Sequence, residues 1–336
     1  MIKRNIPTIK QIAGLLKVSI STVSKALNNH HSIGLTTKEK IHKLAAELNY
    51  SPNQAAIHFK QKKTFTIGII IPDLADQLFS RTLTGIEDFF MKKNYNVFIS
   101  QSHESFFLEK ELVKIMQKNR VDGLIITITK NTTTFEHLKR LEELNIPIVY
   151  LIRNPDNIDC YSVNSNVFKG SFDAVNYLVR RGHQRIAHLK GPDNLITSNE
   201  RHAGYLSGLK FNHVSIDENL IKTTLLDKES TQKAMQELLD LEHKPTAIVA
   251  FKNAMVLDAM QFVKKNQYNL SPIEFVGFGN SDIYEYLDNS PLASLEQYPY
   301  EIGAKTSEML FNLITDQAVL TKNIILDCEL VTNSKS

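Results

Sequence analysis

The chain has 336 residues, of which 42% are hydrophobic, and this length exceeds what one small folded core requires. Its formal net charge of +3 conceals an uneven distribution. Residues 1–63 contain eleven Lys or Arg and two acidic residues, a net charge of +9, which leaves −6 for residues 64–336. The basic segment indicates a polyanionic partner, and the acidic remainder argues against a protein that coats nucleic acid along its whole length.

Residues 7–28, PTIKQIAGLLKVSISTVSKALN, predict two short helices joined by a tight turn. Thr8 and Gln11 have the spacing of a capping box at the first helix, and Ser19 can cap the second. The inward face of the second helix consists of Val23, Ala26 and Leu27. Its opposite face consists of Ile20, Ser21, Ser24 and Lys25. This pattern is typical of a helix-turn-helix, whose second helix enters the DNA major groove, although amphipathic helix pairs also occur in other helical proteins.

The exposed face of the second helix is expected to read the DNA sequence. Lysine can reach guanine acceptors and isoleucine can pack on a thymine methyl group, so the expected base-reading residues are Ile20, Ser21 and Lys25. Phosphate contacts position such a helix without reading sequence. They are expected from Thr8, Ser19, Thr22, Ser24 and Asn28.

Two further helices are predicted before residue 64. Thr36 and Glu39 have capping-box spacing, and the apolar stripe of that helix is Ile41, Leu44, Ala45 and Leu48. Ser51 and Pro52 then favour a helix that ends near Lys60. A helix of about two turns is unstable alone in water, and the basic KQKKT sequence after it favours DNA as its partner. An ordinary interdomain linker is the alternative.

From residue 65 onward, Ile- and Val-rich runs alternate with segments of helical spacing. The runs are FTIGIII, NVFISQS, DGLIITI, IPIVYLI, RIAHLKG, TAIVAF and PIEFVGF. Alternating strands and helices predict parallel sheets covered on both faces, and the length suits two such lobes. Ligands of α/β proteins bind at the carboxyl ends of the strands, so we expect a ligand cleft between the lobes.

Several motifs, in order along nearly the whole chain, resemble the LacI/GalR family of bacterial transcription regulators. They include PTIKQIA, VSISTVSKALN, LNYSPNQAA, FTIGIIIPDL, RRGHQRIAHLKGP, RHAGY and PIEFVGFGN. The resemblance implies an α/β protein with an all-α helix-turn-helix head and hinge helix, then a two-lobed periplasmic-binding-protein-like body of parallel sheets. One departure is Lys17, at a turn position where the family often has Gly. We expect this turn to form with Lys17 outside the left-handed conformation.

The resemblance also implies how the chain is divided. The expected domains are a DNA-binding head at 1–50, a hinge helix and linker at 51–63, and an effector-binding and dimerisation body at 64–336. The first lobe would comprise residues 64–163 and 295–323. The second lobe would comprise residues 164–294 and 324–336.

The function implied by the resemblance is a homodimeric, ligand-responsive regulator that binds a near-palindromic operator in double-stranded DNA. Hinge residues expected at the DNA are Asn53, Ala56, Phe59 and Lys60. The alternatives are a sugar-binding transport protein or an enzyme on the same scaffold. No nucleophile is accompanied by a base, so an enzyme is not expected.

The effector pocket implied by the resemblance departs from the family in several places. The residues expected to line it are Phe79, Ile152, Arg153, Thr197, Arg201, Lys252 and Gly279. Arg201 matches the family's effector-binding arginine, whereas Ile152 and Gly279 replace acidic residues and Lys252 replaces a polar amide. These substitutions make the pocket more basic, unless the alignment is shifted by one residue. A sugar acid or sugar phosphate is therefore expected in place of a neutral sugar.

Other features set limits on the function. The N-terminal residues lack the apolar core of a signal peptide, and no run approaches a membrane span. Cys160 and Cys328 fit no metal or redox spacing. We therefore expect a reduced cytoplasmic setting, with no membrane partner, metal or cofactor.

The hinge sequence generates a first test. Phe59 stands where family members insert a leucine into the minor groove at the operator centre, and such an apolar wedge kinks the duplex. Phe59→Ala should weaken operator binding far more than random-DNA binding and should reduce DNA bending, as measured by gel-shift assays on permuted fragments. Equal losses on operator and random DNA would show instead that Phe59 only packs against its dimer partner.

Overall fold

The computed structural model describes residues 7–50, 63–155, 158–266, 273–287 and 290–332, apart from the side chain of Glu285. The chain forms two compact units, residues 1–64 and 65–336. The helices are α1 (Ile9–Leu16), α2 (Ile20–Leu27), α3 (Leu35–Glu47), α4 (Gln77–Lys92), α5 (Phe106–Lys118), α6 (Glu136–Glu143), α7 (Val167–Arg180), α8 (Ile196–Phe211), α9 (Lys228–Leu239), α10 (Asn253–Lys265) and α11 (Pro299–Ile314). Short 3₁₀ helices span Glu218–Leu220 and Asp282–Tyr286.

The strands follow the predicted apolar runs, with additional strands where the sequence is more polar. They are β1 (Thr66–Ile71), β2 (Asn96–Gln101), β3 (Gly123–Ile126), β4 (Ile148–Leu151), β5 (Tyr161–Asn166), β6 (Ile186–Lys190), β7 (Ile221–Thr223), β8 (Ala247–Ala250), β9 (Glu274–Phe278), β10 (Ala293–Glu296), β11 (Asn323–Asp327) and β12 (Glu329–Thr332). No helix within the described ranges is both long and apolar enough to cross a membrane.

Residues 7–50 of the first unit form three helices around the predicted small core. Its buried residues are Ile12, Ala13, Val23, Ala26, Ile41 and Ala45. Both predicted caps of the helix-turn-helix are present, since Thr8 Oγ1 accepts a hydrogen bond from Gln11 N at 3.3 Å and Ser19 Oγ accepts one from Thr22 N at 3.0 Å. These bonds satisfy backbone N–H groups that the first turn of a helix leaves without a partner.

The predicted cap of the third helix is wrong. Helix α3 begins at Leu35 with Gly34 as its N-cap, so Thr36 lies within the first turn. The N–H groups of Thr37 and Lys38 both donate to Gly34 O at 3.1 Å, which fixes the helix start before Thr36. Gly34 makes no side-chain cap, so this helix start depends on backbone bonds alone.

The prediction for Lys17 is also wrong, because Lys17 adopts the left-handed conformation (φ 53°, ψ 41°) at the C-terminus of α1. Its N–H bonds back to the last turn, and Val18 N donates to Ala13 O at 3.0 Å. This arrangement satisfies carbonyl groups at the helix end and reverses the chain into α2. A residue with a Cβ atom pays a steric cost in this conformation that glycine does not.

Lys17→Gly should therefore stabilise the head by up to ~1 kcal/mol, because the relieved steric cost exceeds the added chain entropy of glycine. Hydrogen exchange at the amides of Ile12 and Val23 in the full chain would measure this change. Lys17→Ala is the matched control, since it removes the same charge but keeps the Cβ atom. Equal protection in the Gly and Ala variants would contradict this explanation.

The second unit contains two six-stranded sheets, as the alternation of strands and helices predicted. The first has the order β11-β5-β4-β3-β1-β2, and the second β12-β10-β9-β8-β6-β7. All pairings are parallel except β10 with β12. Buried apolar clusters cover both faces of each sheet. Parallel strands buried on both faces explain the continuous apolar runs of the sequence.

The chain crosses between the two lobes after β5, after β10 and between β11 and β12. The expected assignment of residues 324–336 to the second lobe is wrong for β11, which pairs in parallel with β5 of the first sheet. Ser162 N donates to Lys322 O at 2.8 Å, and Ser162 Oγ bonds to Asn323 Oδ1 at 2.9 Å. The open edge of β5 thus holds this segment in the first lobe, and the crossing falls at Cys328.

Helix α11 is held in the first lobe by a close contact with α4. A Cβ atom at Gly85 would lie 2.2 Å from Tyr300 O, and one at Gly303 would lie 2.1 Å from Thr82 O. Only glycine permits backbones to approach this closely. The contact explains why residues that follow β10 of the second sheet return to the first lobe.

Candidate functional site

The exposed face of α2 in the head carries the predicted base-reading residues. Ile20 is 45% exposed, whereas Val23 and Ala26 on the same helix are fully buried. Ser21 and Lys25 are exposed as well. A large apolar side chain next to serine and lysine side chains on one exposed helix face is suited to thymine methyl groups and base acceptors.

The predicted phosphate-contacting residues are partly engaged in local bonds. Ser19 Oγ and Thr22 Oγ1 lie 2.8 Å apart, so the two hydroxyls form one unit at the start of α2. Asn28 Nδ2 donates to Ser24 O at 2.9 Å, which folds the amide back onto the helix. Thr8 is exposed at the start of α1. The predicted hinge residues Asn53, Ala56, Phe59 and Lys60 lie outside the described residues.

A cavity of 360 Å³ lies in the body between the two lobes, at the carboxyl ends of their strands. All seven predicted effector residues line it, namely Phe79, Ile152, Arg153, Thr197, Arg201, Lys252 and Gly279. The cavity lies where parallel strands of both lobes end and helices begin, which is the usual ligand position in open α/β folds. Its volume is at the lower end of the range for small-molecule sites.

Arg201 on α8 is the most deeply placed cation of this cavity and is 4% exposed. Its guanidinium carbon lies 4.2 Å from the ring centre of Phe251 and 4.1 Å from that of Phe278. Nη1 donates to Thr197 O at 3.0 Å, while Nε is buried without a hydrogen-bond partner. Burial lowers the pKa of Arg201 to about 10, so the group remains charged at neutral pH. Both ring contacts are cation–π interactions that stabilise the buried guanidinium.

Arg153 does not contribute the unpaired positive charge that the sequence suggested. Its Nη1 lies 2.8 Å from Glu104 Oε1 and also donates to Ile128 O at 3.3 Å. Ile152 directly before it has φ 65° in a γ-turn, closed by a bond from Arg153 N to Leu151 O at 2.6 Å. A β-branched residue is strained in this conformation, which costs roughly 1–3 kcal/mol. The strained turn aims Arg153 toward Glu104.

The residue types at positions 252 and 279 are each explained by a neighbouring residue, Asp76 and Asn253, that the sequence analysis did not include in the site. Lys252 occupies the N-cap position of α10 without capping it, and its Nζ lies 3.7 Å from Asp76 Oδ2. Gly279 has φ 98°, and a Cβ atom there would lie 2.9 Å from Asn253 Nδ2. The Asn253 amide therefore occupies the space next to position 279, and its Nδ2 is buried without a partner.

The cleft is less basic than the sequence predicted, because acidic residues of the lining offset most of its cations. Asp73, Asp76 and Glu296 line the cavity together with Arg81. Arg81 Nη1 lies 4.0 Å from Glu296 Oε2. A signal for Asp76 exists in the sequence, since an aspartate directly before an apolar helical pattern is a favoured N-cap. Its pairing with Lys252 depends on the distant parts of the chain meeting at the cleft.

Comparisons with known proteins agree with this organisation. Residues 64–334 match the family of periplasmic binding proteins and the sugar binding domain of the LacI family, and residues 8–53 match the bacterial regulatory proteins of the lacI family. The chain therefore belongs to the LacI family. It is a DNA-binding transcription regulator and not an enzyme.

Individual relatives match over nearly the full length. The chain is 29% identical to the HTH-type transcriptional repressor CytR of Escherichia coli (strain K12) over 327 residues, 96% of this chain and 94% of CytR. It is 31% identical to the probable HTH-type transcriptional repressor ExuR of Bacillus subtilis (strain 168) over 328 residues, 96% of each. The Lac repressor dimer bound to operator and the anti-inducer ONPF has a similar fold, with a TM-score of 0.85, 25% identity and 98% of each chain covered.

The exposed face of α2 generates a test of base reading. Lys25→Ala should relax base preference at one position of each half-site, costing about 1–3 kcal/mol for a lost bidentate contact. Selection of binding sites from random DNA would measure this preference. Lys43→Ala, an exposed lysine on α3, is the control and should weaken binding without changing the selected motif. An unchanged motif with Lys25→Ala would remove Lys25 from the base-reading set.

Proposed function

We propose that the protein is a homodimeric repressor in the bacterial cytoplasm that binds a near-palindromic operator and responds to a small sugar-type effector. The main support for this proposal is the exposed face of α2, which carries Ile20, Ser21 and Lys25. The body of the same chain contains a cavity large enough for a small ligand. The Lac repressor match, a dimer bound to operator, supports the dimeric state. A two-fold dimer would read two half-sites with the two copies of α2.

An effector response is supported by polar contacts that join one lobe of the body to the other. Arg81 Nη1 on α4 donates to Asn280 O after β9 at 2.9 Å. Asn194 Nδ2, before α8, donates to Lys130 O after β3 at 2.9 Å. Together with the Asp76–Lys252 pair, these contacts hold one particular arrangement of the lobes. A ligand that binds this arrangement better than an open one shifts the equilibrium between them.

Effector control then requires that the two lobe arrangements differ in operator affinity. The coupling is reciprocal, so an effector that weakens operator binding is itself bound less tightly by the operator complex. The alternative of a transport protein on the same scaffold is disfavoured by the family match of residues 8–53 and by the reading face of α2.

Selection of binding sites from random double-stranded DNA by the full chain tests this proposal. The expected motif has two inverted half-sites, and sedimentation should show two protomers on one selected duplex. Ile20→Asp is the control, because this exposed position tolerates the change while a carboxylate there repels DNA; it should prevent selection. A motif without two-fold symmetry, or selection of no motif by the unaltered chain, would overturn the proposal.

A further inference from the structure

Within the described residues, each cation that lines the cavity has a carboxylate partner except the most buried one. Arg153 pairs with Glu104 at 2.8 Å, Lys252 with Asp76 at 3.7 Å and Arg81 with Glu296 at 4.0 Å. Arg201 also lines the cavity, and within the described residues no carboxylate lies at ion-pair distance from it. A buried charge normally has a partner of opposite sign, because desolvation without one is costly.

The surroundings of Arg201 define the shape of the missing partner. The guanidinium carbon lies over the rings of Phe251 and Phe278, so these two rings close part of its surroundings to a partner. Nη1 donates to Thr197 O, whereas Nε is buried and has no hydrogen-bond partner in the described part of the chain. A planar, bidentate acceptor such as a carboxylate fits a planar fork of N–H donors.

Further donors lie at the same strand ends. Phe251, which stacks on Arg201, directly precedes Lys252 and Asn253 at the start of α10. This helix start has no side-chain cap, so its first N–H groups are available at the positive end of the helix. Asn253 Nδ2 is a second buried donor without a partner. Two unpartnered buried donors and an uncapped helix start all favour a negatively charged group there.

The acidic residues of the lining leave this preference at Arg201 in place, because Asp76 and Glu296 already face Lys252 and Arg81. All three lining acids also accept a backbone N–H. Asp73 accepts from Ala75 N at 2.9 Å, Asp76 from Leu78 N at 3.0 Å and Glu296 from Tyr298 N at 2.8 Å. Their remaining lone pairs can accept hydrogen bonds from hydroxyl groups. The cavity therefore combines one site for an anion with several acceptors for a polyhydroxy ligand.

We propose that the effector is a monosaccharide-sized sugar acid whose single carboxylate binds the edge of Arg201, with its hydroxyl groups directed to the acidic lining residues. The inference rests on the proposed function of the cavity as the effector site. One unmatched cation calls for one negative charge, whereas a phosphate monoester carries about −1.5 to −2 at neutral pH. The cavity volume of 360 Å³ suits one sugar ring with its substituents.

The inference can be tested on the unaltered full chain by measuring its affinity for sugar acids and for their neutral counterparts by calorimetry. The probes are D-glucuronate against D-glucose, D-galacturonate against D-galactose, and D-glucose 6-phosphate. At least one acid should bind with a Kd at least about tenfold below that of its neutral counterpart, since charge-assisted bonds exceed neutral ones. Neutral sugars that bind as tightly as their acids, no binding of either acid at millimolar concentration, or tighter binding of the phosphate would each overturn it.

Variants then locate the carboxylate. Arg201→Lys keeps the charge but removes the planar fork, and it should reduce the preference for the acid over the neutral sugar about tenfold or more. Arg181→Lys is the matched control, because Arg181 pairs with Glu274 at the opposite end of β9 from the cavity. Loss of the preference in both variants, or in neither, would contradict the role of Arg201. If Arg201→Lys does not fold, the comparison of matched sugars still decides.

Operator binding is measured separately, so the two proposals can fail independently. A chain that binds a sugar acid but selects no DNA motif would refute the proposed function and leave the sugar-acid site intact. A chain that selects a two-fold motif, and whose binding to it responds only to uncharged sugars, would refute the sugar acid and leave the regulator intact.

Discussion

Burial of both faces of each parallel sheet is the constraint on which the rest of the body depends. Strands such as β1, β3, β4 and β8 are apolar along almost their whole length, so polar groups are excluded from their middle. Parallel strands with helical crossovers place all strand ends of one kind on one edge. The charged and polar residues that follow the carboxyl ends of these strands therefore meet at the cleft, and the position of the cavity follows from the fold.

The parts of the structure that could be predicted are those fixed by short-range chemistry. Thr8 and Ser19 cap their helices because an extended residue with a hydroxyl satisfies the N–H groups of the next turn. The strongly apolar strands were predicted by their runs of Ile and Val, and the seven expected effector residues line one cavity. Capping and burial leave a pattern within a few residues, which one sequence is sufficient to show.

The parts that could not be predicted depend on partners distant in the sequence. Strand β11 belongs to the first lobe because β5 has an open edge 161 residues earlier, as the bond between Ser162 and Asn323 shows. Arg153 was interpreted as an available cation because Glu104, which pairs with it, lies 49 residues away. Lys17 was expected outside the left-handed region because residues with a Cβ atom disfavour it. The sharp turn between α1 and α2 requires this conformation and outweighs that preference.

The contacts that join the two lobes, such as the Asp76–Lys252 pair, are weak enough for a bound ligand to outweigh them. Lys252 and Asp76 are 31% and 30% exposed and 3.7 Å apart, and pairs of this kind contribute roughly 0–1 kcal/mol. A hydrogen bond to a charged group contributes about 1.5–3 kcal/mol, so a ligand that makes several of them in one lobe arrangement outweighs the pair. A ligand can shift the lobes only by its difference in affinity between the two arrangements. Because Arg201 and Asn253 lie on the second lobe and Asp76 on the first, a ligand that contacts all three gains its full set of bonds only when the lobes are closed around it.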